Sequence, residues 1–387
     1  MALAEQVFNF LIPSVSKLGV GAVKQLGATA KFIGGKKALI VTDKGLFDLG
    51  VANQIVELLN ADGVQAVVFS GAEPNPTDLN IRAGAQAYKE NGCDILVSLG
   101  GGSSHDCTKG IGIVVNNGGD IRDYAGIDTF SNPLPPFIAV NTTAGTGSEV
   151  TSFAVITNTE THVKMIIASA RITATVAIND PVMMVGLPAH LTAATGMDAL
   201  THAIEAYVAV LANPVTDSLA IGAIKLIAEW LPQAVGNGAN LEARDKMAYA
   251  EYLAGAAFNN AGVGIVHAMA HQPGALFNKP HGVCNAIILP HGCTFNLIAC
   301  PQKYADIAAA MGVNIAGLTA MEAAEKGIEA IRKLSRDVGI PAGLGAIGVK
   351  ESDIPLLADN AIKDLCCFFN PRQITLDDLK YLYAEAM

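Results

Sequence analysis

Residues 94–112 read DILVSLGGGSSHDCTKGIG. An aliphatic run ends in three glycines, a short polar stretch follows, and a helical pattern begins near Cys107. Strand, glycine turn and helix start together make a phosphate cradle. Glycines let the backbone approach an anion, and the free N–H groups and dipole of a helix's first turn favour negative charge. The stretch departs from G-x-G-x-x-G because His105 stands at the last position, and glycine turns after strands are common. The pattern on either side decides what it means.

Outward in both directions, short apolar runs alternate with longer Ala-rich segments. Residues 38–43 (ALIVTD), 65–70 (QAVVFS) and 137–142 (FIAVNT) are nearly all apolar, as strands covered on both faces should be. Residues 51–63 and 77–92 have helical periodicity and end at glycine. The alternation predicts an α/β domain with a largely parallel sheet over residues 1–184, its cradle suited to a dinucleotide. Asp43 closes ALIVTD, where a carboxylate can hold an adenosine ribose and repel a 2′-phosphate, selecting NAD; a strand-end Asp can equally cap the next turn. It precedes the glycine turn instead of following it, so the wiring is not the ordinary dinucleotide fingerprint. Residues 141–151 (NTTAGTGSEVT) form a second loop rich in hydroxyls, able to bond a cofactor or simply to be solvated. FAVIT and HVKMIIAS then read as a hairpin, with Lys164 as a cation for a polar cofactor group or as a surface lysine.

Beyond residues 180–187 strands vanish and long helical segments take over, so residues 185–387 are expected to form an all-α domain. Residues 192–207 (TAATGMDALTHAIEAY) place Asp198 and His202 one helical turn apart, on one face, where both reach one point. Three of the chain's eight histidines, His267, His271 and His281, fall within fifteen positions downstream. A single histidine on an apolar helix is usually a hydrogen-bonded core residue. An Asp/His pair plus a histidine cluster in a chain poor in charge points instead to a metal centre. HAMAH has zincin-like His spacing, but Ala268 and Met269 stand where a general-base Glu would be needed, which disfavours metalloprotease chemistry.

Composition narrows the remaining classes. The chain has 387 residues, 51% hydrophobic and 16% charged, with net charge −10, a balance for a compact two-domain enzyme. Without a basic stripe, nucleic acid and anionic membranes are not expected as partners, and a small-molecule substrate is. The seven cysteines form no C-x-x-C motif and read as reduced thiols of a cytoplasmic protein. Residues 1–13 (MALAEQVFNFLIP) carry Glu5 and no basic start, unlike a secretory signal, and no uninterrupted apolar run reaches membrane-spanning length. Low charge with positive mean hydropathy suggests a homo-oligomer that covers apolar surface.

The chain resembles the iron-dependent (type III) alcohol dehydrogenases, within them the 1,3-propanediol, ethanol and methanol dehydrogenase subgroup. The likeness rests on EPNP, GGGSSHDCTKGIG, NPLPP, NTTAGTGSEVT, NDP, LTAATGMDALTHAIEAY, MAYAEYLAGAAFNNAGVGIVHAMAHQ, PHGVCNA and NPR, co-linear over nearly the whole chain. It implies a dinucleotide-binding α/β domain, a helical metal-binding domain and an active-site cleft between them. It further implies a metal held by Asp198, His202, His267 and His281, with His271 beside the substrate as proton relay. Asp43, Asn75, Gly101, Gly102, Ser103, Thr142, Thr143 and Lys164 match cofactor-contacting positions, and Phe153 and Phe258 match the substrate pocket. The implied reaction is hydride transfer between NAD(H) and a small primary alcohol or diol whose oxygen a divalent metal holds. Without a thiolate ligand the ion is expected to be Fe2+, with Zn2+ as the alternative.

Two rival enzymes share these motifs. A polyol (glycerol-type) dehydrogenase would want a wider, wetter pocket than Phe153 and Phe258 suggest. A dehydroquinate-synthase-like lyase would need several Arg or Lys near the metal, and residues 192–207 and 253–295 offer only Lys279. A non-catalytic scaffold would have no reason to gather titratable groups in apolar segments. One departure touches the pocket: Pro273 precedes a single Gly274 and Ala275, where the subgroup carries Leu or Val and then paired glycines.

Overall fold

The computed structural model describes residues 7–161 and 163–387. The start of the N-terminal stretch read for a secretory signal, and His162 at the head of HVKMIIAS, lie outside the described residues. The chain separates into two compact units. One holds Leu11–Thr143 and Gly147–Met184; the other includes Ala144–Thr146 and Val185–Met387.

Among the described residues the first unit is built on nine strands: β1 Val15–Leu18, β2 Lys37–Asp43, β3 Gln65–Ala72, β4 Ile95–Gly100, β5 Gly126–Ile127, β6 Phe137–Asn141, β7 Phe153–Asn158, β8 Val163–Ala168 and β9 Val176–Asn179. Its main sheet has the order β1-β9-β6-β4-β2-β3, and every pair in it is parallel. Helices α1 Leu26–Phe32, α2 Lys44–Asp48, α3 Val51–Ala61, α4 Asp78–Glu90 and α5 Gly102–Asn117 connect the strands. Along β2, Ala38 and Ile40 join one apolar cluster with Leu26, Ile55 and Leu59 from α1 and α3. Leu39 and Val41 join another with Ile81, Cys107 and Ile111 from α4 and α5. Both faces are covered, which is why the strands read as unbroken apolar runs. The edge strand β1 and its neighbour β9 do not stand out in the sequence, because four-residue strands carry too little pattern to register. The hairpin of β7 and β8 pairs antiparallel, Val155 opposite Ile166.

Helix α5 begins at Gly102, five positions before the expected start at Cys107. Gly100 reverses the chain at a φ of +148°, which a side chain would strain, so the helix opens directly off the sheet. Packing of Cys107 and Ile111 then holds a first turn of poor helix formers.

The second unit contains only helices among the described residues. They are α6 Ala189–Val208, α7 Pro214–Gly236, α8 Leu241–Ala261, α9 Ile265–Phe277, α10 His281–Asn296, α11 Pro301–Ala310, α12 Ala320–Asp337, α13 Ile354–Ala361 and α14 Leu376–Glu385, with short 3-10 turns between some of them. By length and composition alone α7 could cross a membrane. Asp217, Lys225 and Glu229 interrupt it, and Ala220, Ile224, Ile227 and Leu231 are buried where it packs on α6 and α8.

Candidate metal centre and cofactor loops

Helix α6 is buried along most of its length, so any polar side chain it carries must find a partner inside the unit. Asp198 and His202 project from one face of it. His202 Nδ1 lies 3.3 Å from the carbonyl of Gly145. Donating there leaves Nε2 with its lone pair. Phe258 of α8 stacks on the same ring, centroids 4.1 Å apart. Helix α10 opens at His281, and its next residue shows why it can lie so close to α6. A Cβ on Gly282 would meet the Ala194 carbonyl at 2.4 Å, so only glycine fits. His281 Nε2 is thereby brought to 3.7 Å from Asp198 Oδ1.

The N-terminus of α9 is held by a residue of α6. Glu205 accepts the Val266 N–H at 2.7 Å with Oε1 and the His267 N–H at 3.3 Å with Oε2, a carboxyl at a helix start. The same Oε2 lies 2.5 Å from His267 Nδ1. Burial pushes Glu205 up to about 7 and His267 well below its ordinary value. With Nδ1 donating to Glu205, His267 Nε2 keeps its lone pair.

Asp198, His202, His267 and His281 each offer one ligand atom, and all four atoms lie within 4.8 Å of one another. Three imidazole nitrogens and a carboxylate oxygen make a donor set for a divalent cation. Burial supports this: it holds His202 and His267 neutral, the form that ligates, and pushes Asp198 up to about 7, a cost that a cation would relieve. Beside them the Oδ1 of Asn285 is buried without a hydrogen-bond partner, an acceptor that a cation would suit.

His271 lies one turn beyond His267 on α9. Its Nδ1 is 2.8 Å from Asp364 Oδ2. Burial pushes Asp364 up, but His271 and the Cys366 N–H outweigh it and hold the carboxyl down to about 2. The helix also survives Pro273. That proline removes the N–H that would bond the Met269 carbonyl four residues back, and the buried Tyr383 hydroxyl donates to that carbonyl instead, at 2.7 Å.

In the first unit, the expected cofactor residues gather at the carboxyl ends of neighbouring strands. Asp43 ends β2, Asn75 follows β3, Gly101, Gly102 and Ser103 follow β4, and Thr142 and Thr143 follow β6. The order in which successive strands are added reverses between β2 and β4, with β3 on one side and β6 and β9 on the other, and in such sheets ligands bind outside that switch point. The free N–H groups of Gly102 and Ser103 sit at the start of a sixteen-residue helix, suited to a pyrophosphate. Asp43 Oδ1 accepts from the Leu46 N–H at 3.0 Å, so the capping role is observed. Lys164 Nζ donates to Asn75 Oδ1 at 2.8 Å, joining two of the expected residues. Phe153 opens β7, and its carbonyl accepts from the buried Lys109 ammonium at 2.7 Å. Lys109 also reaches Ser148 and Thr151, fastening the hydroxyl-rich loop to α5.

Sequence reasoning passed over Glu205, Asn285 and Asp364. Glu205 carried a signal, an acid in the apolar segment HAIEAY, three residues after a proposed ligand. Asn285 lies four residues after His281, one turn further along the same helix. Nothing in sequence marks Asp364, which is 93 positions from His271.

Residues 13–181 match the iron-containing alcohol dehydrogenase family, and residues 192–387 match the C-terminal part of the Fe-containing alcohol dehydrogenase family. The chain is 53% identical over 386 residues to the 1,3-propanediol dehydrogenase of Klebsiella pneumoniae, covering 99% of this chain and 100% of that protein. It is 50% identical over 379 residues to the NAD-dependent methanol dehydrogenase of Bacillus methanolicus, covering 98% and 100%. A crystal structure of a 1,3-propanediol oxidoreductase matches with a TM-score of 0.98 at 54% identity, covering 99% of this chain and 100% of that one. With both halves matched and identity this high over full length, the chain belongs to the iron-containing alcohol dehydrogenase family.

Proposed function

We propose that this chain is an alcohol dehydrogenase that transfers a hydride between NAD(H) and small primary alcohols or diols and their aldehydes. The observation that carries the proposal is the convergence of Asp198, His202, His267 and His281 on one point within an apolar helical unit. A divalent cation bound there supplies Lewis acidity, which lowers the cost of negative charge on an alcohol oxygen and polarises an aldehyde carbonyl. The donor set has no thiolate, which favours Fe2+ and leaves Zn2+ as the alternative.

The other roles fall to groups of the chain itself. Glu205 holds His267 in the tautomer that offers Nε2. His271, oriented by Asp364, takes the hydroxyl proton at Nε2 and passes it to solvent. Phe258, packed on His202, presents an apolar wall suited to short alcohols. In the first unit the start of α5 receives the pyrophosphate, Asp43 the adenosine ribose, and Lys164 with Asn75 a further polar group of the cofactor. The seven free thiols agree with a cytoplasmic enzyme, and exposed Val210, Leu211 and Val215 with assembly into a homo-oligomer.

The test is to purify the protein without added metal, measure its metal content, and assay C1 to C4 alcohols and diols with NAD. His267→Ala should lose metal and turnover together. A variant with stoichiometric metal and normal rates would remove His267 from the ligand set.

A further inference from the structure

Asn285 sits on α10 four residues after His281, fully buried. Its Nδ2 lies 2.7 Å from Asp198 Oδ1, 3.1 Å from His267 Nε2 and 3.1 Å from His281 Nε2. These atoms belong to three of the four residues assigned above as ligands, so the amide nitrogen lies among them. An amide nitrogen carries two hydrogens and here faces a carboxylate oxygen and two imidazole nitrogens, while the other end of the same amide, Oδ1, has no partner.

We propose that Asn285 is a placeholder in the cation site: its N–H groups hold the lone pairs of Asp198, His267 and His281 on one point, and an entering cation must turn the amide aside. This rests on the reading of those side chains as a metal centre. The two ends of the amide have nearly the same shape, and half a turn about the Cβ–Cγ bond exchanges them. The donor end complements lone pairs on these three side chains. The oxygen end would be repelled by those lone pairs and attracted by a cation among them. Amide orientation and cation occupancy are therefore linked, and whatever favours one orientation shifts the other equilibrium. Asn285 is a positioning residue on this account. It keeps the ligands convergent before loading and sets a barrier to both uptake and release.

The test uses the whole protein stripped with EDTA, with Co2+ as the probe, uptake followed by its visible absorption bands. Asn285→Ala should take up Co2+ about ten-fold faster, the factor for one hydrogen bond removed from the barrier. Its stripped form should melt below stripped wild type, with a smaller difference once both are loaded. Asn285→Asp offers oxygen but no donor; its stripped form should be less stable still, and it should hold Co2+ about ten-fold more tightly against a chelator. The Asp variant keeps the proposal testable if the Ala variant does not fold. Uptake rates equal to wild type would overturn the proposal, as would equal losses of stability in stripped and loaded forms, the mark of ordinary packing. If wild type binds no Co2+, the metal centre and the placeholder both fall. If wild type binds normally and the variants match it, the placeholder falls alone.

Discussion

Tyr383→Phe should expose how α9 tolerates a proline in its interior. The hydroxyl of Tyr383 donates to the Met269 carbonyl at 2.7 Å, both residues being fully buried. In an unbroken helix that carbonyl would receive the N–H of residue 273, which is proline here. Phenylalanine keeps the ring and its packing, so the loss is confined to the hydrogen bond. A buried acceptor left without a donor costs about 2 kcal/mol, which lowers the melting midpoint by roughly 5 °C in a cooperative unit of this size. A double-mutant cycle sharpens the claim. Pro273→Ala restores an N–H at the right place, so in that background Tyr383→Phe should cost little, giving a coupling of about 1–2 kcal/mol. Urea and thermal unfolding of the four proteins, followed by circular dichroism, measure it. Because α9 carries His267 and His271, metal retention should fall in the single variant and recover in the double. An equal cost for Tyr383→Phe in both backgrounds would refute the idea that the hydroxyl replaces the missing N–H.

Glu205→Gln should weaken metal binding about 10–100-fold, as removal of a group orienting a metal-bound histidine does; a chelator competition giving an unchanged dissociation constant would show that His267 is oriented otherwise. Asp43→Gly should admit NADP, and unaltered cofactor preference would place the ribose elsewhere. Burial lowers Lys109 to about 8, against the opposing pull of Asp106 and Glu149. Between that value and the ordinary lysine value the unfolded chain holds a proton the folded chain lacks, so stability should rise as pH passes upward from about 8 towards about 10.4. Lys109→Met should lack that rise, and parallel urea midpoints for the two proteins across this range would contradict it.

Much of this protein is written locally. The unbroken apolar runs of β2, β4 and β6, the last two followed by a glycine or hydroxyl-rich turn, announce a sheet covered on both faces. The i, i+4 spacing puts Asp198 beside His202 without any tertiary information, because a helix alone determines which residues share a face. The downstream cluster of His267, His271 and His281 supplied the other half of a metal centre, and family likeness then picked His267 and His281 from it as ligands.

What a chain segment cannot encode by itself is which distant groups meet. Glu205 fastens to His267, Asp364 to His271 and Tyr383 to Met269 across 62, 93 and 114 positions respectively. Each partner is an ordinary residue in its own segment, and its role exists only because packing buries it against an acceptor or donor needing satisfaction. The start of α5 at Gly102 belongs with these, since burial of Cys107 and Ile111 overrides the weak propensity of its first turn. Periodicity is a property of a helix or strand and is legible in sequence. Polar satisfaction in a buried interior is a property of the assembled unit, and only tertiary structure decides it.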